Sequence, residues 1–457
     1  MYPKIGILFA KYLVKLILLY FMVLNKMQKS LTDKNLESLF KYGCQTLENT
    51  KDYNRAIKIF AECVNNDHKN PNFWAQLGLS YMLNREMSMA NECLTTSLHI
   101  DPLNIETNLR IALFLYENGE INKSIDYFKK CLSLDSNNIW AKRNLAFIRL
   151  QHNFLDKENL DFFEKVRDKT SNLNQSNIPL INLQKNHLKN SRQKKLFIIN
   201  EDGFGDDIMF LRYISILKDY GFKISLSAHK KIISLLKTSP YLNNVDINSK
   251  YSNASILDHD FKTNLMSLPY ILSEKINFIP QPLPFNLKKN KIVLEKSLVK
   301  QIKIKKIRIG LSWRGNPSHR RDKIRSIPIE FFSTIFKQFE NCKFFIIQKN
   351  LNTKETNFLS HFKNVFNCDE FLDDFSKTAM LVSNMDQVIS VDTVLAHLAG
   401  TMSIPTTLLL PKIPDWRWGL SGNKTDWYPS IYILRQNSID CWDKVFESLA
   451  FHLSKNF

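Results

Sequence analysis

This 457-residue sequence lacks the cysteine patterns of disulfide-rich and zinc-binding proteins. Its seven cysteines form no CxxC pair, show no zinc-type spacing and are odd in number. Four of them fall on apolar positions of helical patterns in the first third of the chain: Cys44, Cys63, Cys93 and Cys131. These features exclude a secreted domain held together by disulfides. They favour buried thiols in a reducing compartment, which we take to be the cytoplasm.

Acidic residues are also under-represented, since 63 Lys and Arg face 44 Asp and Glu and give a formal net charge of +19. The lysines are spread along the chain and form no cluster interleaved with aromatic residues. This distribution is typical of a solvated surface rather than of a nucleic-acid groove, so we expect no nucleic-acid partner. A basic cleft would still attract anionic substrates. The chain length predicts roughly three globular domains.

The N-terminus has no small-residue cleavage site, which argues against a removed signal peptide. Within this leader, residues 1–29, a mostly apolar stretch over residues 5–24 is long enough to span a bilayer. Its lysines nevertheless share one narrow helical stripe with their neighbours: Lys4, Lys11, Lys15, Lys26 and Lys29. The pattern favours a helix lying in the membrane interface, peripheral on the cytoplasmic face of the inner membrane. The alternative is that translation begins at Met22 or Met27 and that the leader is not part of the protein.

Residues 30–152 contain a repeat with a period of 34 residues. In the clearest unit, which starts at Pro71, the recurring residues are Trp74, Leu77, Gly78, Tyr81, Ala90, Leu94, Ser97 and Pro102. Matching residues lie one period earlier (Phe40, Cys44, Leu47, Tyr53, Ala56, Phe60, Cys63) and one period later (Ile111, Ala112, Leu115, Gly119, Ser124, Phe128, Cys131). This spacing is similar to that of the tetratricopeptide repeat, in which small residues let two helices approach closely. We predict an α-helical solenoid of three repeats, with a capping helix over residues 140–150.

The rest of the chain has the pattern of an α/β protein. We interpret residues 153–195 as a linker, because the polar stretch from about Lys169 to Lys195 contains Pro179 and shows no sustained periodicity. A loosely packed helix is the alternative for that stretch. Six apolar runs then alternate with amphipathic segments: Leu196–Asn200, Ile224–Ala228, Ile307–Ser312, Cys342–Gln348, Gln387–Val391 and Thr406–Leu410. This alternation predicts parallel sheets built from βαβ units. A Lys-rich stretch over residues 286–306 divides the region into two Rossmann-like lobes, residues 196–290 and 291–457.

Two predicted strands run into a polar turn and then into an apolar helix start, at Gly203–Asp206 and at Ser390–Thr393. Ligands of open α/β sheets bind outside the carboxyl ends of the strands, so both turns are placed for chemistry. The first turn is not a dinucleotide fingerprint, because Ile208 stands where GxGxxG has its third glycine. Asp206 at this helix start is either a cap or a catalytic base.

Other loops carry charge and aromatic rings. One loop crowds five cations, Arg314, Arg320, Arg321, Lys323 and Arg325, and is either a pyrophosphate-binding loop or a solvated one. The hydroxyl of Thr393 and the backbone N–H groups beside it form a ready anion site at a helix start, and His397, one turn later, is a structural residue or a ligand. The aromatic segment around Trp416 and Trp418 either walls a nucleobase or sugar or covers a sheet edge.

Taken together, these segments resemble glycosyltransferase family nine, which includes the bacterial lipopolysaccharide heptosyltransferases, in the branch where that domain follows tetratricopeptide repeats. The resemblance runs over about 250 residues and is carried, in order, by Gly203–Asp206, Met266–Pro269, Trp313–Asn316, Gln348–Lys349, Asp374–Ala379, Ser390–Thr393, His397–Gly400 and Asp415–Trp418. It implies a GT-B fold, in which two Rossmann-like domains close on a nucleoside-diphosphate sugar, with no required metal and no other cofactor.

The resemblance also implies roles for individual residues. By position, Asp206 would be the general base that deprotonates the acceptor hydroxyl. The donor and its diphosphate would be held by Arg314, Asn316, Arg320, Arg321, Arg325, Lys349, Asp392, Thr393 and His397. A wall for the sugar or base would be formed by Asp415, Trp416 and Trp418.

We therefore predict an inverting, metal-independent glycosyltransferase whose repeats recruit or orient a glycan, lipid-linked or protein acceptor, or a protein partner. Two features depart from the family. Val394 stands where heptosyltransferases usually have glycine, and the first lobe is short, so we expect the repeats to supply part of the acceptor surface. The alternative is a non-catalytic scaffold, whose repeats bind a partner and whose transferase-like lobes are degenerate.

Overall fold

The computed structural model describes residues 35–170, 180–201, 203–249, 251–287, 294–317, 319 and 321–457. The predicted leader, residues 1–29, lies outside these ranges. The chain divides into two compact units, the first ending at Lys142 and the second beginning at Arg143. Among the described residues, no helix has the length and apolar character needed to cross a bilayer.

The described part of the first unit is helical. Helix α1 covers residues 35–45 and continues as a π-helical turn, Thr46–Thr50; it is followed by α2 (Tyr53–Asn66), α3 (Pro71–Asn84), α4 (Met87–Ile100), α5 (Ile105–Glu117) and α6 (Ile121–Leu134). The Asn70 side chain caps α3, and Pro71 occupies its first turn, where a missing N–H costs little. A Cβ added at Gly78 of α3 would lie 2.8 Å from Leu94 Cγ of α4. The small repeat position at Gly78 therefore lets the two helices pack closely.

Two helices lie before the first sheet, α7 (Ile139–His152) and α8 (Lys157–Thr170). The predicted capping helix is present as α7, but Ala146 and Leu150 on it belong to the hydrophobic core of the second unit. Residues 153–195, predicted as a linker, instead contain α8, a strand and a 3-10 helix, Lys185–Asn190. The stripe formed by Leu160, Phe163 and Val166 is buried, and this narrow stripe within a polar sequence is what the linker interpretation missed.

The first sheet of the second unit, with its helices, forms the N-lobe. Its five strands are β1 (Ile181–Asn182), β2 (Lys195–Ile199), β3 (Lys223–Ser227), β4 (Asp246–Asn248) and β5 (Phe261–Asn264), in the spatial order β1-β5-β2-β3-β4. Its helices are α9 (Phe204–Phe210), α10 (Ile214–Asp219), α11 (Ile233–Leu236), α12 (Asn253–Leu257) and α13 (Leu268–Leu272). All neighbouring strands are parallel. Because β3 and β5 flank β2, the strand order reverses between β2 and β5, and this is the topological switch point of the N-lobe.

The second sheet forms the C-lobe. Its six strands are β6 (Ile307–Ser312), β7 (Cys342–Ile346), β8 (Val365–Asn367), β9 (Gln387–Val391), β10 (Thr406–Leu410) and β11 (Ile431–Arg435), in the order β11-β10-β9-β6-β7-β8. Its helices are α14 (Lys296–Ile302), α15 (Asp322–Arg325), α16 (Ser333–Gln338), α17 (Thr353–Ser360), α18 (Phe375–Val382), α19 (Val394–Thr401) and α20 (Asp443–Asn456). All neighbouring strands are parallel, and their order is that of a doubly wound nucleotide-binding domain, with its switch point between β6 and β9.

The predicted fold class, a helical repeat array followed by two Rossmann-like sheets, is confirmed. All six predicted strands are present, each within two residues of its predicted bounds. β9 and β10 are buried along their whole length, as expected for parallel strands covered on both faces. The sequence missed β1, β4, β5, β8 and β11. Three of these, β1, β4 and β8, have only two or three residues, too few to show a period.

Candidate active site

The loops after β6 and β9 line the switch point of the C-lobe. Residues 313–315 follow β6, and residues 392–393 follow β9. Arg325 ties the two loops together, because its Nη1 donates to the Asp392 carbonyl oxygen over 2.9 Å. Its Nε also donates to the Asp322 carboxylate over 3.1 Å. Two of the sequence segments expected to bind the donor are therefore adjacent in the fold.

The N-terminus of α19 lies at the same switch point. Thr393 is the N-cap residue, and its hydroxyl lies 3.2 Å from Ser390 Oγ rather than bonding to the helix backbone. The first N–H groups of a helix favour an anion placed before them. The side chain of Val394 packs on an apolar cluster that includes Leu395 and Leu398.

Asp206 lies at the facing edge of the N-lobe sheet. Gly203 is the N-cap of α9, and its carbonyl oxygen accepts from the backbone N–H groups of Asp206 and Asp207 over 3.0 and 3.2 Å. Asp206 is thus inside the first turn of the helix and is not its cap. Its carboxylate forms an ion pair with Arg417 of the C-lobe, and only 17% of the Asp206 side chain is exposed.

The two lobes touch beside this ion pair. Helix α9 packs directly on α19. A Cβ added at Gly205 would lie 2.8 Å from His397 Cδ2, so the glycine makes room for the imidazole. The two switch-point turns that the sequence singled out therefore meet in the structure.

His397 is a buried, neutral residue in this contact. Its ring stacks on Trp418 with centroids 5.2 Å apart, and its Nδ1 lies 3.0 Å from the Tyr428 hydroxyl. Burial, with a smaller contribution from Arg417, lowers the pKa of His397 to about 3. The imidazole can therefore shape the site and exchange hydrogen bonds, but it carries no charge at neutral pH.

Arg417 is held between carboxylates of both lobes. Its Nη1 donates to Asp415 Oδ1 over 2.7 Å, and its Nη2 pairs with Asp206. Burial opposes the charge on Arg417, but Asp206 and Asp415 outweigh it and raise the pKa of the guanidinium. Burial likewise opposes ionisation of Asp415, but Arg417 outweighs it and lowers the pKa of that carboxyl. Burial and the neighbouring Asp415 raise the pKa of Asp392.

Other residues of the basic loop lie around this network. The Nη2 of Arg321 donates to the Ile413 carbonyl oxygen over 2.6 Å, which places Arg321 beside the loop after β10. The carbonyl oxygen of Asn316 accepts from the His319 backbone N–H over 2.8 Å. Arg320, which the sequence also assigned to the donor site, lies outside the described residues.

Arg314 and Lys349 are paired with carboxylates of their own. Arg314 forms a two-pronged ion pair with Glu355, with N–O distances of 2.7 and 2.9 Å. Lys349 Nζ lies 2.8 Å from Asp373 Oδ1. Lys349 also lines a cavity of about 430 Å³ at the carboxyl ends of β7 and β8, together with Asn350, Asn367, Asp369 and Glu370. The carboxylates of Glu355 and Asp373 are thus the ion-pair partners of Arg314 and Lys349, whereas Asp206 and Asp415 are those of Arg417.

The predicted aromatic wall is divided between two surroundings. Trp418 stacks on His397 inside the site, whereas Trp416 lies at its border, between the Arg417 guanidinium and an aromatic cluster. The Trp416 ring stacks on Phe154, between α7 and α8, with centroids 5.6 Å apart, and is 6% exposed. Phe154 also contacts the Trp427 ring edge to face at 4.5 Å. Trp416 thus packs the loop after β10 against the segment between α7 and α8, which precedes the N-lobe.

The sequence places Arg417 within the segment Asp415–Trp418 but indicates no role for it. The only signal in the sequence was its position between Trp416 and Trp418, two residues after Asp415. That position did not reveal its partner in the other lobe. Arg435 was missed altogether. Its guanidinium donates to the carbonyl oxygens of Trp418 at 2.6 Å, Gly419 at 3.1 Å and Gly422 at 2.9 Å, and so it fixes the turn that carries Arg417. Within the described ranges, no three His, Cys, Asp or Glu side chains are grouped as metal ligands.

Comparison with protein families identifies the repeats. Residues 105–138 match the tetratricopeptide repeat family. This match confirms the assignment made from the 34-residue period. None of the curated protein sequences compared with this chain matches it.

Three of the solved structures similar to the chain are of the two kinds that the sequence resembles. A glycosyl transferase family 9 protein from Veillonella parvula DSM 2008 is 10% identical, with 58% of this chain and 90% of that chain covered and a TM-score of 0.39. The E. coli ADP-heptose lps heptosyltransferase II is 12% identical, with 57% and 98% covered and a TM-score of 0.38. The first TPR of Spaghetti (RPAP3), bound to an HSP90 peptide, is 16% identical, with 24% and 88% covered and a TM-score of 0.23.

Proposed function

We propose that the protein is a glycosyltransferase that moves a sugar from a nucleoside-diphosphate sugar to an acceptor hydroxyl, with inversion and without a metal ion. The observation that carries the proposal is the meeting of the two switch points. Asp206 of the N-lobe contacts Arg417 of the C-lobe, and Gly205 contacts His397. A carboxylate on one lobe and cations on the other are the two components that such a transfer needs.

The proposed reaction is a single displacement. Asp206 accepts the proton of the acceptor hydroxyl, while the oxygen of that hydroxyl attacks the anomeric carbon of the donor sugar from the N-lobe side. The bond between the anomeric carbon and the phosphate oxygen breaks, and its electrons leave with the nucleoside diphosphate. A base held in this way contributes about 10²–10⁴-fold to the rate.

The leaving diphosphate develops negative charge, and fixed donors that meet this charge give the largest electrostatic contribution. We assign this role to Arg321, Arg325 and Arg417, with the Thr393 hydroxyl and the first N–H groups of α19. Arg325 and Arg321 are already oriented by the carbonyl oxygens that they bind. Asn316 and Asp392 would hold the backbone conformation of the two loops through their carbonyl oxygens. Neutral His397 would pack beneath these loops.

The donor also needs a place for its nucleoside and sugar. The cavity beside Lys349 has room for a nucleoside, and its Asp and Asn side chains offer acceptors for ribose hydroxyls. Arg314 would support this part of the site through its pair with Glu355. Trp418 and Asp415 remain our candidates for the sugar wall, with Trp416 supporting them from behind.

We assign recruitment of the acceptor, or of a protein partner, to the tetratricopeptide repeats. Repeat arrays present concave surfaces suited to peptide-like ligands. A glycan, a lipid-linked saccharide and a protein are the three acceptor classes compatible with this arrangement. We propose that the enzyme acts in the cytoplasm, peripherally at the inner membrane where the leader is present.

The proposal is tested by calorimetric titration of the full chain with ADP, GDP, UDP and their sugar derivatives. We expect micromolar binding of one base class and a Kd about tenfold weaker for Thr393→Ala, which corresponds to the loss of about 1.4 kcal/mol. The matched control is Thr334→Ala, because Thr334 is an exposed threonine on another helix of the same lobe. Absence of binding by every nucleotide would contradict the proposal and favour a non-catalytic scaffold.

A further inference from the structure

Arg417 occupies the junction of the two lobes with almost no contact to solvent. Its Nη2 pairs with Asp206 and its Nη1 with Asp415, while Trp416 lies under the guanidinium with the ring centroid 4.5 Å away. The side chain is 11% exposed. Its Nε is buried and has no hydrogen-bond partner in the described part of the chain.

This ion pair conflicts with the role proposed for Asp206. A carboxylate beside a buried guanidinium is stabilised in its charged form and is a poor proton acceptor. In the ligand-free protein, Arg417 therefore masks the catalytic carboxylate. The base becomes effective only when the guanidinium has another partner.

The diphosphate of the donor is such a partner. Arg417 lies in the loop after β10, the strand that pairs with β9 in the sheet. The next residue, Trp418, stacks on His397 of α19, whose N-terminus is the proposed phosphate site. Guanidinium groups bind phosphate oxygens in two-pronged fashion, and a diphosphate carries more charge than one carboxylate.

We propose that Arg417 exchanges partners when the donor binds: its Nη2 edge leaves Asp206 for a phosphoryl oxygen, its Nη1 stays on Asp415, and the Asp206 carboxylate, no longer paired with this guanidinium, becomes the proton acceptor. This inference rests on the proposed function and adds an order of events to it. The donor binds first, and the acceptor hydroxyl loses its proton to Asp206 only in the presence of the diphosphate. Deprotonation without a donor is thereby prevented.

Several other charged or titratable groups face this pair from neighbouring elements. They are Arg212 after α9, His319, Arg321 and Arg325 after β6, Asp392 after β9, His397 on α19, and Asp415 and Tyr428 after β10. His397 stays neutral across the range used below, because burial lowers its pKa to about 3. A comparison that changes Asp206 alone therefore isolates the contribution of its carboxylate.

The experiment measures protons taken up when a nucleotide binds. The full chain is titrated calorimetrically with ADP, GDP and UDP between pH 5 and 6, in two buffers of different ionisation enthalpy. We expect the wild type to take up a few tenths of a proton more than Asp206→Asn, because a carboxylate that exchanges a cation for a diphosphate gains proton affinity. We also expect Asp206→Asn to bind the nucleotide about three- to tenfold more tightly, since its Arg417 is no longer engaged by a carboxylate.

Two further variants complete the test. Asp206→Glu keeps a carboxylate and should restore the proton uptake, whereas Asp415→Asn should retain it, because Asp415 does not change partner. Equal proton uptake and unchanged or weaker affinity in Asp206→Asn would overturn the exchange while leaving the donor site in place. Absence of binding by all three nucleotides in the wild type would instead overturn the proposed function itself, and the inference with it.

Discussion

The contact between Gly205 and His397 makes a sharp prediction about the lobe junction. Replacing Gly205 with alanine adds one methyl group, whose carbon would lie 2.8 Å from His397 Cδ2 and 3.3 Å from Nε2. Carbon atoms do not approach that closely, so one of the two groups must move. The imidazole has little freedom, because it stacks on Trp418 and is hydrogen-bonded to Tyr428.

Two opposing effects determine the size of the change. Glycine to alanine in a helix normally stabilises by up to about 1 kcal/mol. Inserting a methyl group into a packed site costs about 1–3 kcal/mol. We therefore expect Gly205→Ala to lower the free energy of unfolding by about 0–2 kcal/mol, although alanine is the better helix former. We expect turnover to fall at least tenfold, because a small displacement at the junction misaligns Asp206 and the donor site.

Gly203 provides the matched control in the same turn. A Cβ added there meets no described atom within 4 Å, and its φ of −85° suits alanine. Gly203→Ala should cost only about 0.5 kcal/mol, from the weaker N-cap. It should also leave the His397 contact intact.

A double-mutant cycle measured by urea unfolding gives the decisive comparison. Gly205→Ala and His397→Ala should couple by about 1–2 kcal/mol, because removing the imidazole relieves the clash. Gly203→Ala and His397→Ala should show almost no coupling. If the two cycles gave the same coupling energy, the packing of α9 on α19 would not be the one described here.

Two further predictions concern stability. Phe154→Ala should lower the free energy of unfolding by about 2–4 kcal/mol, because the ring packs on Trp416 and Trp427. Phe451→Ala, at a position 62% exposed, should cost about 0.5 kcal/mol or less; similar costs for both would contradict the role given to the α7–α8 segment. Burial lowers the pKa of His397 from 6.5 to about 3, so between these values the unfolded chain binds more protons than the folded chain. The contribution of His397 to the free energy of unfolding is therefore fully present above pH 6.5. It decreases as the pH falls, by about 2 kcal/mol between pH 7.5 and 5. The free energy of unfolding of His397→Gln, measured with urea, should therefore fall by about 2 kcal/mol less than that of the wild type between pH 7.5 and 5. If the free energies of unfolding of the two proteins changed with pH in parallel, a buried neutral imidazole would be contradicted.

Much of the fold could be predicted because its signals are local. The 34-residue period placed the repeats, and apolar runs of five to seven residues placed six strands. β1 and β4 could not be found in this way, since their two and three residues become strands only through the neighbours they pair with. α8 was missed because the stripe of Leu160, Phe163 and Val166 lies within a polar sequence.

The candidate site was predictable only in part. Asp206, Thr393 and His397 follow strands, and the carboxyl edges of parallel sheets collect such residues at one place. Arg314 and Arg325 are alike in sequence, both arginines of one basic loop. The structure separates them, because Glu355 pairs with Arg314 while Arg325 bridges the loops of the switch point.

The sequence by itself determined the repeat period, the alternation of strands and helices, and the positions of the two switch-point turns, because each depends on spacing between near neighbours. Only the tertiary structure decided that Arg417 pairs with Asp206, which is 211 residues away. It also decided that α8 belongs to the second unit and that Trp416 packs against Phe154. These contacts join distant parts of the chain. Which charges are neutralised, and which rings are buried, depends on how the elements pack rather than on their order.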